Sequence, residues 1–149
     1  MEIIRTDATH QDFIHLVTQL DRMLAIINGD DHTFYRQFNT LSAIKNVVVL
    51  YDESEAISCG AFKEIDESTC EIKRMFTIPS HRGKGYAGHI VDALEFWARE
   101  LGYRTVILET SVKLESAIQL YLKKGYARTP NYGQYADAAD SICFIKNIM

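Results

Sequence analysis

The chain has 149 residues, 47% hydrophobic and 24% charged, with a formal net charge of −4, which is room for one well-cored domain over residues 1–149 and cramped for two. The composition is that of an ordinary globule, and no apolar run approaches the roughly 20 residues a membrane-crossing helix needs. An acidic balance argues against a general nucleic-acid binder and suits a cationic amine as partner.

Met1 to Asp7 alternates as a first strand, and Thr9 is placed to cap a helix whose apolar positions Phe13, Leu16, Val17, Leu20, Met23, Leu24 and Ile27 recur at helical spacing until Asn28 and Gly29 stop it. A second short helix is expected from about Asp31 to Thr40, with Phe34, Tyr35 and Phe38 on one side. The runs 46–52, 56–65 and 70–78 read as an antiparallel meander joined by the acidic turns 52–55 and 66–68. From Gly85 or Tyr86 to Leu101 the stripe Ala87, Ile90, Val91, Leu94, Trp97, Ala98 and Leu101 predicts an amphipathic helix closed by Gly102. A buried strand over 103–110, a helix over 114–124 capped by Gly125, and two strands near Tyr126 and over 141–148 complete the chain.

Cys59, Cys70 and Cys143 are odd in number and far apart, which suggests packed thiols rather than a disulfide framework or a paired-cysteine zinc site. His10, His15, His32, His81 and His89 show no metal-ligand spacing, so metal-independent chemistry is expected. The opening Met-Glu-Ile-Ile-Arg-Thr-Asp lacks the basic flank and apolar stretch of a secretion signal, and a cytoplasmic location is the expectation.

The most informative segment is Thr77-Ile-Pro-Ser-His-Arg-Gly-Lys-Gly-Tyr-Ala-Gly88, a strand running through a proline into a glycine-rich turn at the start of a helix. Gly83, Gly85 and Ala87 strip side-chain bulk from the turn, so backbone N–H groups can converge on an anion beside the positive end of the helix, and Arg82 and Lys84 add fixed charge. A nucleotide P-loop is excluded because Gly85 stands where Ser or Thr must follow Lys84. The spacing of a dinucleotide fingerprint is met by Gly83, Gly85 and Gly88, but past the midpoint of the chain and behind a run of strands rather than after a first one. A plain strand-to-helix turn is the remaining alternative.

The order Arg82-x-x-Gly85-x-Ala87 resembles the pyrophosphate-binding signature of the GNAT acetyltransferases, which move an acetyl group from acetyl-coenzyme A to an amine. The element order β-α-α-β-β-β-α-β-α-β-β is also the one expected of that fold, an α/β (α+β) domain with a mixed, mostly antiparallel sheet of about seven strands flanked by helices, so the resemblance covers essentially the whole chain. It implies that main-chain groups of Met75, Phe76 and Thr77 bind the pantetheine arm of acetyl-CoA, with an N–H near Met75 or Phe76 facing the thioester oxygen. It implies too that Arg82, Gly83, Lys84, Gly85, Tyr86 and Ala87 hold the pyrophosphate.

Acetyl transfer to an amine is chiefly a problem of protons. An alkyl ammonium with a pKa of about 10 must lose one, and the departing thiolate should gain one. Glu71 lies eleven residues before Arg82, the interval at which several GNAT protein acetyltransferases carry their general-base glutamate. Strand alternation would put Glu71, Lys73 and Met75 on one face and Ile72, Arg74 and Phe76 on the other, and neutralisation by Lys73 or Arg74 is the competing explanation for Glu71. Glu109 is the alternative carboxylate. Tyr121, in Leu120-Tyr121-x-x-x-Gly125-Tyr126, occupies the place of the family's general-acid tyrosine, with a helix-core role as the alternative. Leu114 stands seven residues earlier, where a common family pattern has asparagine.

The acceptor should enter past the first helices, the loop 28–32 and the C-terminal hairpin, where Asn131-Tyr-Gly-Gln-Tyr135 either walls a pocket or packs on the sheet edge. Asp30 and Asp31 serve either to attract an ammonium or to cap a helix. The reading that emerges is an N-acetyltransferase acting on a small-molecule amine by direct attack on the thioester. A protein lysine or N-terminal acetyltransferase and a non-catalytic acyl-CoA sensor are the alternatives, with no nucleic acid or membrane partner and homodimer formation left open.

Overall fold

Strands β1 (Glu2–Thr6), β2 (Asn46–Asp52), β3 (Glu55–Glu64), β4 (Thr69–Thr77), β5 (Thr105–Ser111), β6 (Ala127–Thr129) and β7 (Ser141–Asn147) form one sheet in the order β1-β2-β3-β4-β5-β7-β6. The computed structural model describes residues 1–29 and 44–149, so the helix expected over 31–40 and the residues Asp30, Asp31 and His32 lie outside the described residues. All neighbouring strands are antiparallel except β4 and β5. Helices α1 (Gln11–Asn28), α2 (Tyr86–Glu100) and α3 (Glu115–Lys123) complete the described part.

Two apolar layers explain the unbroken run Val47-Val-Val-Leu50. Val47 and Val49 pack with Phe13, Leu16, Val17 and Leu20 of α1, whereas Val48 and Leu50 pack with Ile90, Val91, Leu94 and Ala98 of α2. Both faces of β2 are therefore dry, and each fully buried Val, Leu, Ile or Phe contributes about 1.5–3 kcal/mol. Leu101, expected on the buried stripe of α2, is exposed because the helix ends at Glu100. The start of α1 also differs from expectation. His10 occupies the cap position, while Thr9 turns back to donate its N–H and its hydroxyl to the Asp7 carboxylate at 2.9 and 2.5 Å, which removes the threonine from the helix.

Strand β4 carries the irregularity that shapes the site. Cys59 pairs with Phe76 and Ala61 with Lys73, so one intervening residue on β3 faces two on β4. Arg74 takes up the excess with φ at 60°, in the left-handed region. Simple alternation therefore fails beyond Lys73: Ile72 and Met75 face the α2 layer, and Phe76 and the guanidinium of Arg74 face α1. Gly60 sits across from the bulge, where an added Cβ would lie 2.5 Å from Met75 Sδ and 2.6 Å from Ile90 Cγ2. Gly60→Ala is expected to force Met75 and the bulge to shift, with a loss of about 1–3 kcal/mol in chemical denaturation; an unchanged midpoint would show that the strand does not depend on that close approach.

Strands β4 and β5 pair only from Thr69↔Thr105 to Ile72↔Leu108. Beyond that point they separate, and the β5-facing edge of β4 opens into the interior.

Candidate active site

The segment after β4 makes a short 3-10 turn at Pro79–His81 and enters α2 through Gly83 and Gly85, with φ of 77° and 86°. Gly85 is the N-cap, and the first intrahelical N–H to be satisfied there is that of His89, on the Gly85 carbonyl. The preceding N–H groups of Tyr86, Ala87 and Gly88 have no carbonyl a turn earlier to accept them. Arg82 anchors the turn by donating Nε to the Thr77 carbonyl at 2.8 Å, with its guanidinium 5.4 Å from the Phe76 ring centroid.

A cleft of about 660 Å³ lies over this turn. Met75, Phe76, Thr77, Arg82, Gly83, Gly85, Tyr86 and Ala87 line it, joined by Leu114, Ala117 and Leu120 from the α3 side. Eight of the nine residues expected to hold coenzyme A are thus brought together; Lys84 is exposed and is not among the lining residues. A Cβ added at Gly85 meets no protein atom within 4 Å and would project into open space.

That openness defines a test. Gly85→Val and Gly102→Val both place a branched residue at positive φ, 86° and 92°, with no neighbour within 4 Å, at a comparable conformational cost of about 1–2 kcal/mol. Only the first lies on the cleft. Calorimetry should show coenzyme A binding weakened about tenfold or more by Gly85→Val, roughly the loss of one charge-assisted hydrogen bond, and unchanged by Gly102→Val. Equal affinities in the two folded variants would remove the turn from the binding site.

A second cavity, of about 140 Å³, occupies the gap between the separating ends of β4 and β5. Glu71, Lys73 and Arg74 of β4, Glu109, Thr110 and Ser111 of β5, and Tyr121 and Tyr135 line it, with Leu20, Met23, Leu24 and Asn28 of α1 on the far wall. The two spaces share Met23, Met75, Leu114 and Ala117, so the cavity with the carboxylates adjoins the cleft over the Gly83–Gly85 turn along these four residues. Leu114, in place of the family asparagine, is at the junction and offers packing only.

Glu71 is 2% exposed. The Tyr132 hydroxyl donates to its Oε2 at 2.5 Å, and Lys73 Nζ and Lys63 Nζ stand 3.8 and 3.9 Å from Oε1. Arg74 does not neutralise it: the bulge sends that guanidinium to the Val17 carbonyl at 3.3 Å and to Asp21 at 2.6 Å. Burial lowers the pKa of the Lys73 ammonium, against the raising charges of Glu71 and Glu109. Glu109 accepts from Ser141 Oγ at 2.6 Å. Burial pushes its carboxyl above the usual range, with the Ser141 hydrogen bond and Lys73 opposing and the charge of Glu71 adding to the push.

Tyr121 projects from α3 and is 5% exposed. Its ring meets Tyr126 edge-on at 5.8 Å and Phe144 at 6.1 Å, and Tyr126 is itself fixed by a 2.8 Å hydrogen bond to buried Glu95. Burial first, then the charge of Glu109, raises the Tyr121 phenol and keeps it protonated at neutral pH. The tyrosine is both a core residue and a lining residue of the cavity. All three cysteines are buried and none lines either space, although Cys143 lies close to Glu71 and Glu109; burial pushes Cys59 and Cys70 up to about 12. Among the described residues no group of three or more His, Cys, Asp or Glu could hold a metal ion, and no helix is long and apolar enough to cross a membrane.

Residues 14–126 match the acetyltransferase (GNAT) family. The chain belongs to that family. It is 27% identical over 135 residues to the IAA acetyltransferase of Azospirillum brasilense, covering 89% of this chain and 88% of that one. An uncharacterized N-acetyltransferase of Bacillus subtilis is 31% identical over 100 residues, 66% of each chain. Among solved structures, a Klebsiella pneumoniae protein assigned as an acyl-CoA N-acyltransferase superposes with a TM-score of 0.82 at 27% identity, over 99% of this chain and 97% of that one. GNAT membership brings acetyl-CoA-dependent transfer to an amine as the general activity, and the cleft over the Gly83–Gly85 turn suits that co-substrate.

Sequence reasoning missed three parts of this GNAT site. The bulge at Arg74 has no glycine of its own to announce it; its signal is Gly60 on the neighbouring strand. Ser141 begins β7, and nothing in the local sequence marks its hydroxyl as the donor to Glu109. Tyr132, expected either to wall a pocket or to pack on the sheet edge, hydrogen-bonds Glu71 across 61 residues of sequence, which leaves no local pattern.

Proposed function

We propose that the chain acetylates a primary amine of a small molecule by direct attack on the thioester, with Glu71 as general base and Tyr121 as general acid. The observation that carries this reading is the shared cavity: Glu71 and Tyr121 line one space, which adjoins the cleft over the Gly83–Gly85 turn along Met23, Met75, Leu114 and Ala117. Acetyl-CoA supplies the activated acyl group. The chain has to orient it, deprotonate the amine and protonate the thiolate.

In this reading the turn from Arg82 to Ala87 takes the pyrophosphate, and the main chain of Met75, Phe76 and Thr77 lies along the pantetheine arm. The loss of β4–β5 pairing beyond Ile72 supports this role, since it leaves β4 backbone groups on that side without a strand partner. A donor near Met75 or Phe76 stabilises charge developing on the thioester oxygen. Glu71, directly or through one water, accepts the proton that the attacking nitrogen gives up as the N–C bond forms. Tyr121, held protonated by burial, delivers its proton to sulfur as the C–S bond breaks. Burial pushes all three thiols up and none of them lines the cavity, which favours direct transfer over an acetylated thiol.

A small acceptor is favoured by the form of the cavity. It holds only about 140 Å³, with Glu71 and Tyr135 in its wall. Acetyl-CoA consumption should be measured against a panel of amines, amino acids, polyamines, aminoglycosides and lysine peptides. Turnover with one or more small amines and little with peptides is expected. Faster turnover with lysine peptides would reassign the acceptor to protein, and tight coenzyme A binding with no turnover on any member would replace the enzyme by a sensor.

A further inference from the structure

The segment between β6 and β7 is built to present two tyrosines to the two carboxylates. Asn131 Nδ2 donates to the carbonyls of Ala138 and Ser141 at 3.2 and 3.0 Å, closing the loop on itself. The next residue, Tyr132, precedes the 3-10 turn Gly133–Tyr135, and its ring meets Tyr135 edge-on at 5.8 Å. Tyr135 lies beside Glu109 and Glu71, and the Tyr132 hydroxyl is on Glu71 Oε2 at 2.5 Å.

A carboxylate that is to take a proton from an incoming ammonium must be held in one orientation and must stay ionised until the amine arrives. We propose that Tyr132 is the positioning residue for the general base, its hydroxyl fixing the Glu71 carboxylate and favouring the ionised form. The inference rests on Glu71 being the base. The groups facing Glu71 among the described residues are Lys63 of β3, Lys73 of β4, Glu109 of β5, Cys143 of β7, and Tyr132 and Tyr135 of the loop. Two of them are cations at 3.8 and 3.9 Å, beyond hydrogen-bond distance, so Tyr132 provides the directional contact. Burial and the charge of Glu71 push the Tyr132 phenol far up, so it stays a donor across the working range of pH.

The sign of its effect follows. A hydrogen bond to the ionised form favours that form, and removing it lets the carboxylate take up a proton at higher pH. The test is a carbon-13 NMR titration of the Glu71 side-chain carboxyl, assigned with Glu71→Gln, in the wild-type chain and in Tyr132→Phe, without acetyl-CoA or acceptor. The Tyr132→Phe midpoint should lie about one pH unit higher, the size expected for losing a hydrogen bond to a charged group. The acid limb of kcat/KM, with an acceptor from the panel, should move by the same amount. A 3-fluorotyrosine placed at 132, a more acidic donor of nearly the same shape, should move both downward, which keeps the test open if the phenylalanine variant folds poorly. A Glu71 midpoint indifferent to both changes overturns the proposal. A midpoint that moves while the acid limb stays fixed overturns the assignment of Glu71 as base, and with it any catalytic role for Tyr132.

Discussion

Tyr121→Phe is expected to lower turnover by about 100- to 10,000-fold, the range for a positioned general acid, while acetyl-CoA affinity and melting temperature stay near wild type. The substitution removes one hydroxyl and keeps the ring that packs on Tyr126 at 5.8 Å and Phe144 at 6.1 Å. Because burial raises the phenol, the wild-type residue is protonated throughout the neutral range and available as a donor. The comparison must be made at saturating substrate, with a single-turnover measurement showing that chemistry limits the rate. Unchanged turnover under those conditions would leave Tyr121 as a core residue of α3 that happens to line the cavity.

Glu71→Gln should show a different pattern. The amide keeps the volume and can still accept from Tyr132, but it removes the negative charge beside Lys63 and Lys73. Turnover per folded molecule is expected to fall at neutral pH and to recover in part as alkaline solution deprotonates the free amine, whose pKa is about 10. Some thermal stability should also be lost, since a buried lysine then faces one carboxylate fewer. Recovery with pH separates the two roles: a purely structural Glu71 predicts a lower melting temperature with turnover per folded molecule intact at every pH. Normal activity at neutral pH would move the base to Glu109, which lines the same cavity and whose carboxyl burial already pushes up.

The turn through Gly83, Gly85 and Ala87 into α2 was legible because it is local: the strand, the proline, the small residues and the amphipathic helix follow one another within a dozen positions. Strand ends and the α2 stripe were legible for the same reason, through periodicity set by backbone geometry. The faces of β4 beyond Lys73 were not, because a bulge at a non-glycine residue shifts the alternation without changing composition, and only Gly60 on β3 reflects it. Thr9 shows a local competition decided by a neighbour: the Asp7 carboxylate two residues earlier captures the hydroxyl that would have capped α1. The partners of Glu71 were half legible. Lys73 is two residues away on the same strand, but Lys63 reaches Glu71 through the β3–β4 register and Tyr132 through the return of the chain after β6. Those contacts depend on tertiary packing, which no window of sequence contains.

The central claim is that acetyl-CoA gives its acetyl group directly to an amine, without an acetylated enzyme. It is tested most directly by incubating the protein with isotopically labelled acetyl-CoA, first alone and then with an accepted amine, and following free coenzyme A together with the masses of protein and amine. The account predicts no coenzyme A release and an unlabelled protein in the absence of amine, then release matched one for one by label on the amine nitrogen. A stoichiometric burst of coenzyme A with label on the protein, or steady release without any amine, would contradict it.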